Sequence, residues 1–321
     1  MIATLAIILA GLIVWYAQTV FLLAFAGVLV AIILYTISSV VSELLGARYS
    51  VVLGIVVLGL AAFLVAVFWI ATPLIASQLK ELIVQVPEAY QEVKEYIVGK
   101  GVISSESLSN TFILKNEKFI EQATQIFSYT LEIVTGSVFI VFLGIYLAVK
   151  PHEYIEGFIL LFPERKRRKI SDVIWGLGQT LQWWLLGKFI SMAVIGLLSL
   201  IALWILGVPL AFILALIAAL FAFIPYIGSI LAAVPAILVA LSISPWIGLY
   251  TTLAYLLIHG VDGYLVTPLV EQRTVSLPPT LTVMMQVLLT LLIGFLGLAL
   301  ASPITVVALV LVRELYINNK R

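Results

Sequence analysis

Long apolar runs, separated by short polar interruptions, dominate the pattern of this chain. Residues 1–42 carry no charge. Val51–Ile75 is a clean apolar stretch of 25 residues, about 37 Å of helix and enough to cross a bilayer. Further runs follow at Phe127–Val149, Leu185–Leu206 and Trp246–Val266. Two others are awkward in length. Leu210–Ile224 and Ile227–Leu241 are 15 residues each, parted by Pro225, Tyr226 and Gly228. At about 22 Å apiece they fall short of a ~30 Å hydrocarbon core. Leu281–Val312 is a 32-residue run interrupted by Gly294, Gly297 and Pro303. Both pairs read as discontinuous or re-entrant helices. Non-helical backbone at membrane depth is tolerated only where it is buried in protein or lines a cavity. Two such breaks point to the binding region of a secondary transporter. A proline kink in an ordinary packed helix is the plainer reading of Pro225.

Near the amino terminus, Trp15 to Gln18 is expected to part a short helix from a longer one. No Lys or Arg precedes Arg48, and the run is too long for the apolar part of a secretory signal, so it is expected to stay embedded. One segment departs from the apolar pattern. Ser77–Gln125 holds five Lys and seven Glu, with Leu79, Leu82, Ile83 and Val86 at helical spacing. It is expected to form a small helical subdomain outside the bilayer. The domain plan is then residues 1–76 as amino-terminal membrane segments, 77–125 as the polar subdomain, and 126–321 as the transport region. The last contains a basic segment at 150–184.

Composition agrees with that plan. Of 321 residues, 63% are hydrophobic and 10% charged, against about 25% charged in soluble domains. The fold class is all-α: a polytopic helical membrane protein with about eight hydrophobic segments. Strand-like alternation of polar and apolar positions, the mark of a membrane barrel, is missing. A net charge of +1 and the lack of basic patches with interleaved aromatics give no support to nucleic-acid binding. The chain has no cysteine, which rules out disulfides and thiolate metal sites.

The five consecutive basic residues Arg165–Lys169 set the expected orientation. Cytoplasmic loops are enriched in Lys and Arg, so segment 163–169 and the carboxy terminus are placed inside, with 77–125 outside. Trp175, Trp183 and Trp184 fit an interfacial belt, and the basic run fits a face drawn to anionic lipid. The expected location is the plasma or inner membrane.

Chemistry is concentrated in one place. Between Val173 and Val312 there are four charged residues, Lys188, Asp262, Glu271 and Arg273. The last three share the segment His259–Arg273. Ionisable groups at membrane depth are costly and mark ion or substrate pathways. Asp262 can bind Na⁺ through oxygen or exchange a proton; as a structural group it would pair with Arg273. His259 lies three positions earlier, on the same helix face. Arg273 stays charged and serves as a counter-charge or anion anchor, with Glu271 beside it. Gln286, with Thr280, Thr282 and Thr290, brings polar atoms to the last apolar run, for interhelical hydrogen bonding or for cavity lining. Lys188 is explained by snorkelling. The Ala232, Ala236 and Ala240 stripe is explained by close helix packing.

No phosphate-binding loop, His-Glu-x-x-His helix, nucleophile elbow or K⁺-filter sequence occurs. An enzyme is therefore not expected, nor a cofactor or bound metal.

The segments IPYIGSILAAVPAILVAL (Ile224–Leu241) and VDGYLVTPLVEQRTVSLPPTLTVMMQVLLTLLIGFLGLALASPITVVALVLVRELY (Val261–Tyr316) resemble the autoinducer-2 exporter family. Leu181–Ala211 is similar too. The resemblance covers the whole layout and is specific from about Leu181 onward. It implies a multi-pass transporter with a small polar subdomain, export of a small signalling molecule or Na⁺(Li⁺)/H⁺ antiport, and homo-oligomers, with pentamers expected. Three positions depart from the family pattern: Asp262 stands where Glu is usual, Thr290 where Gly is frequent, and Lys188 where Gln is. The expected function is secondary transport of a small solute or monovalent cation. Asp262 would carry the ion, between the two breaks and the Asp262–Arg273 segment. An oligomeric channel and a non-transporting membrane scaffold are the alternatives.

Overall fold

The computed structural model describes residues 2–62, 130–268 and 277–317, together with positions 65 and 81. It is about 90% helical, and no strand occurs among the described residues. The expected subdomain at 77–125 lies outside them, apart from position 81. The chain divides into two compact units.

The described part of the first unit begins with α1, Ile2–Leu45, a single helix of 44 residues. The break expected at Trp15–Gln18 is absent. No proline or glycine stands there, so nothing removes a backbone hydrogen bond or loosens the turn. Helix α2 covers Tyr49–Ala62 and α3 covers Thr130–Val149. α1 and α3 approach closely where glycine permits it. A Cβ on Gly27 would lie 2.9 Å from Leu143 Cδ2, and one on Gly144 would lie 2.6 Å from Val30 Cγ1. Hydrocarbon surrounds apolar side chains as favourably as protein does, so close backbone approach and polar bonds drive association. Tyr49 Oη adds such a bond, donating to the carbonyl of Ala148 at 2.6 Å. Ala31, Leu34, Leu53 and Ala148 form the apolar cluster around it.

After α3 the chain turns by 87° into α4, Pro151–Leu160. Arg167 joins α4 to the next helix. Its guanidinium donates to the carbonyls of Phe162 at 3.0 Å and Leu160 at 3.4 Å, a cation set on a helix carboxy terminus. At the bend, Lys150 and Glu153 form an exposed ion pair of 2.6 Å. The hydrogen bond to Glu153, then its charge, holds the ammonium above its ordinary pKa.

Helix α5 runs unbroken from Glu164 to Ile205. The basic segment and the following apolar run are therefore one element of 42 residues, about 63 Å long. Gly176, Gly178 and Gly187 lower its propensity, but no proline interrupts it.

The described part of the second unit contains the latter half of α5 and three further helices. α6 is Ala211–Phe221, α7 is Ile227–Ile243 and α8 is Pro245–Val261. They pack around Ile195, Leu203, Leu214, Val239 and Ile258. Ala232, Ala236 and Ala240 are each at most 1% exposed and sit in that core, where small side chains let the helices close up. Between α6 and α7 the chain makes a tight turn. Ile224 N–H donates to the Phe221 carbonyl at 2.9 Å and Gly228 N–H to that of Ile224 at 3.1 Å. Tyr226 adopts φ 64°, in the region non-glycine residues seldom enter. A Cβ on Gly228 would strike the Phe221 carbonyl oxygen. Ser244 then caps α8, its hydroxyl accepting from Trp246 N–H at 3.3 Å, with Pro245 at the first helical position.

The carboxy-terminal part of the first unit is a second helix pair. α9, Pro279–Ile293, and α10, Phe295–Val312, meet at Gly294. Its backbone, φ 71° and ψ −146°, lies in a region almost exclusive to glycine. Gly297 and Pro303, expected as interruptions, lie inside α10. Gly297 brings α10 against the Leu289 carbonyl, and a Cβ there would clash with it. Pro303 is buried within the helix, whose single turn point is Gly294.

By length and composition, three described helical spans can cross a membrane: Gln18–Leu45, Glu164–Ile205 and Phe295–Leu315. The bent pair of α3 and α4 makes a fourth if counted as one span. α2, α6, α7 and α9 are shorter apolar helices. The architecture is that of an all-α polytopic membrane protein.

Candidate functional site

The second unit gathers its polar atoms on one face of α8. Thr251, Tyr255, His259 and Asp262 follow at intervals of four, four and three residues, which places them within about 80° of arc on a helix of 3.6 residues per turn. Thr251 is 0% and Tyr255 2% exposed. The rings of Tyr255 and His259 are 6.2 Å apart. Ser199 of α5, 0% exposed, stands beside the Tyr255 hydroxyl. The opposite face is apolar: Leu253, Leu256 and Leu257 point outward.

Thr251 Oγ1, His259 Nε2 and Asp262 Oδ1 are buried with no hydrogen-bond partner among the described residues, while the buried Tyr255 hydroxyl and Ser199 Oγ pair with each other. An unpartnered buried donor or acceptor costs about 1–3 kcal/mol. Three of them, on neighbouring turns at the end of α8 and just after it, would together cost several kcal/mol unless something polar meets them. Several hydroxyls elsewhere avoid that cost. Thr252 Oγ1 donates to the Gly248 carbonyl at 2.8 Å, Thr180 to Gly176 at 2.9 Å and Thr305 to Ala301 at 2.7 Å. These bonds satisfy a hydroxyl within its own helix.

The backbone changes at Asp262. Helix α8 ends at Val261, and Asp262–Val266 form a wider turn in which Thr267 N–H reaches the Asp262 carbonyl, five residues back. Single π-turns of this kind recur at functional sites because they displace side chains from the regular register. Gly263, next to Asp262, leaves the carboxylate's neighbourhood without a side chain. The arrangement presents a carboxylate and an imidazole at one end of a hydroxyl-bearing face.

The family model described as AI-2E family transporter matches residues 2–317. This chain belongs to the AI-2E transporter family. It is 23% identical over 315 residues to "Putative transport protein YueF" of Bacillus subtilis (strain 168), covering 92% of this chain and 84% of that protein. It is also 27% identical over 147 residues to "Putative transport protein YrrI" of the same strain, covering 46% of this chain and 42% of that protein. As an AI-2E family member, the chain is a membrane protein of a transporter family.

The sequence-derived candidates fall in different places in this transporter. His259 and Asp262 share one face of α8, as their spacing requires. Glu271 and Arg273 lie outside the described residues. Gln286 is in the first unit, fully buried on α9, with Thr282 and Thr290 one turn to either side. Thr290 Oγ1 donates to the Gln286 carbonyl at 2.5 Å. Pro225, Tyr226 and Gly228 form the α6–α7 turn of the second unit, and Gly294, Gly297 and Pro303 belong to the α9–α10 pair of the first. Sequence reasoning missed Ser199, Thr251 and Tyr255. The available signal for Thr251 and Tyr255 was their four-residue phase with His259, whereas Ser199, on α5, carries no such signal.

Proposed function

We propose that the protein is a secondary transporter of a small polar solute or a monovalent cation, with Asp262 as the ion or proton carrier. The observation that carries this reading is the buried, unpartnered polar face of α8 ending in Asp262 at a π-turn. A carboxylate there binds either Na⁺ or a proton but not both, and that competition is the simplest basis for exchange. His259 tunes the charge at the carboxylate from one turn away. Glu271 and Arg273, soon after in the chain, supply the remaining charge of the segment. The glycine- and proline-bearing turns at Pro225–Gly228 and Gly294 are the pivots of the moving parts. AI-2E family membership supports transport as the class of activity.

In the same reading the protein resides in the plasma or inner membrane as a homo-oligomer, a pentamer by family resemblance. Segment 163–169 and the carboxy terminus are cytoplasmic, and 77–125 lies outside. Export of a small signalling molecule and Na⁺(Li⁺)/H⁺ exchange are the two candidate cargo classes.

Flux in proteoliposomes, with wild type and Asp262→Asn compared over a panel of solutes and cations, tests the carrier role. The variant keeps size and hydrogen bonding but cannot ionise. It is expected to lose coupled flux by roughly ten-fold or more, the scale of one charge-dependent contact. Unchanged flux in the variant would overturn the role.

A further inference from the structure

We infer that the polar face of α8, from Asp262 back to Thr251, forms with Ser199 a water-filled track that conducts water and protons to the carrier carboxylate. Ser199, Thr251 and Tyr255 are its hydroxyl lining. What the track serves rests on the reading of Asp262 as carrier; its hydration stands on the geometry alone.

Three observations build it. The first is the difference between adjacent threonines. Thr252 satisfies its hydroxyl on the Gly248 carbonyl at 2.8 Å, as a hydroxyl facing hydrocarbon must. Thr251, one position earlier and 0% exposed, has the Ile247 carbonyl one turn back and does not bond to it. The second is spacing. Side chains four apart on a helix lie about 5–6 Å from each other, and the Tyr255 and His259 rings are separated by 6.2 Å. Between successive turns of α8, gaps of that size suit one bridging water between neighbours, and Tyr255 meets Ser199 directly. A buried water needs two to four polar partners, and the five atoms Ser199 Oγ, Thr251 Oγ1, Tyr255 Oη, His259 Nε2 and Asp262 Oδ1 provide them in sequence.

The third is reach. Eleven residues of helix span about 16 Å, roughly half the hydrocarbon core. A carboxylate at one end of such a track exchanges protons with water in the protein interior rather than across a lipid barrier. Asp262, His259 and Tyr255 are its titratable members, while the Leu253, Leu256 and Leu257 side of α8 stays apolar.

The absence of native cysteine makes the test direct. Ser199→Cys and Thr251→Cys exchange a hydroxyl for a thiol of similar shape, and Leu253→Cys and Leu257→Cys serve as outward controls. Each full-length variant is reconstituted in proteoliposomes, checked for helical content, and treated with a small hydrophilic thiosulfonate. Only a water-exposed, ionisable thiol reacts. S199C and T251C are expected to react roughly ten-fold or more faster than the leucine-site variants. In parallel, wild-type protein in lipid is exposed to hydroxyl radicals generated from water by X-rays, which oxidise side chains in contact with water. Corrected for the intrinsic reactivity of each side chain, Tyr255 is expected to be oxidised ahead of Leu256 and Leu257. Silent thiols with an oxidised Tyr255 also support the track, as one narrower than the reagent. Silent thiols with an unoxidised Tyr255 overturn it, as does equal reaction at all four sites. Neither readout depends on flux, so the track and the carrier role of Asp262 stand or fall separately.

Discussion

Two glycines show how single residues set the geometry. Gly228 has the Phe221 carbonyl oxygen where a Cβ would be, and Gly294 holds a backbone conformation that side chains resist. Gly228→Ala should push the α6–α7 turn open at a cost of about 1–3 kcal/mol, and Gly294→Ala should strain the α9–α10 turn by a similar ~1–3 kcal/mol. Thermal unfolding in detergent checks both: each variant should melt below wild type, whereas Gly263→Ala, with nothing within 4 Å of its added carbon, should not. Equal melting of all three would contradict the assigned packing. Asp262 stood out in the sequence because a charge among apolar residues is conspicuous whatever surrounds it. The hydroxyls of Ser199, Thr251 and Tyr255 did not. Such groups usually bond within their own helix or to a neighbour, and only their burial, on α8 for Thr251 and Tyr255 and on α5 for Ser199, separates these three from the rest.

At the level of elements, apolar runs read correctly as helices but not always with the right ends. α1 passes through Trp15–Gln18 and α5 through the whole of 164–205. Charge and interfacial aromatics mark where a helix leaves the membrane, not where it stops. The breaks at Pro225–Gly228 and Gly294 were legible because steric demands there are local. Pro303 was misleading, since a buried proline inside a membrane helix can be accommodated by its neighbours. Helix α4 is the element whose role depends most on the bilayer. It bends 87° from α3, exposes Phe158, Leu160 and Leu161, and leads directly into Arg165–Lys169. That combination suits the surface of an anionic leaflet, where each nearby Lys or Arg contributes about 1 kcal/mol. Replacing Arg165, Lys166 and Arg168 by Gln, while leaving the bonded Arg167, should lower retention of phosphatidylglycerol over phosphatidylcholine. Native mass spectrometry of the purified protein reads this, and unchanged retention would contradict the surface role.

For the whole molecule, the apolar exterior and the polar face within the second unit are two consequences of one composition. Twelve of the chain's charges lie in 77–125 and five in Arg165–Lys169, while α8 and the turn after it hold one, Asp262. The family is settled by the match over residues 2–317; in the proposed reading, cargo and coupling are set by chemistry at the carboxylate. The most direct test of that chemistry loads proteoliposomes with a pH-sensitive dye and an acidic interior, then adds Na⁺ or Li⁺ outside. With the membrane potential clamped, the wild type should raise the internal pH as cations enter, and Asp262→Asn should leave it unchanged. Equal responses from the two proteins would contradict Asp262 as the carrier.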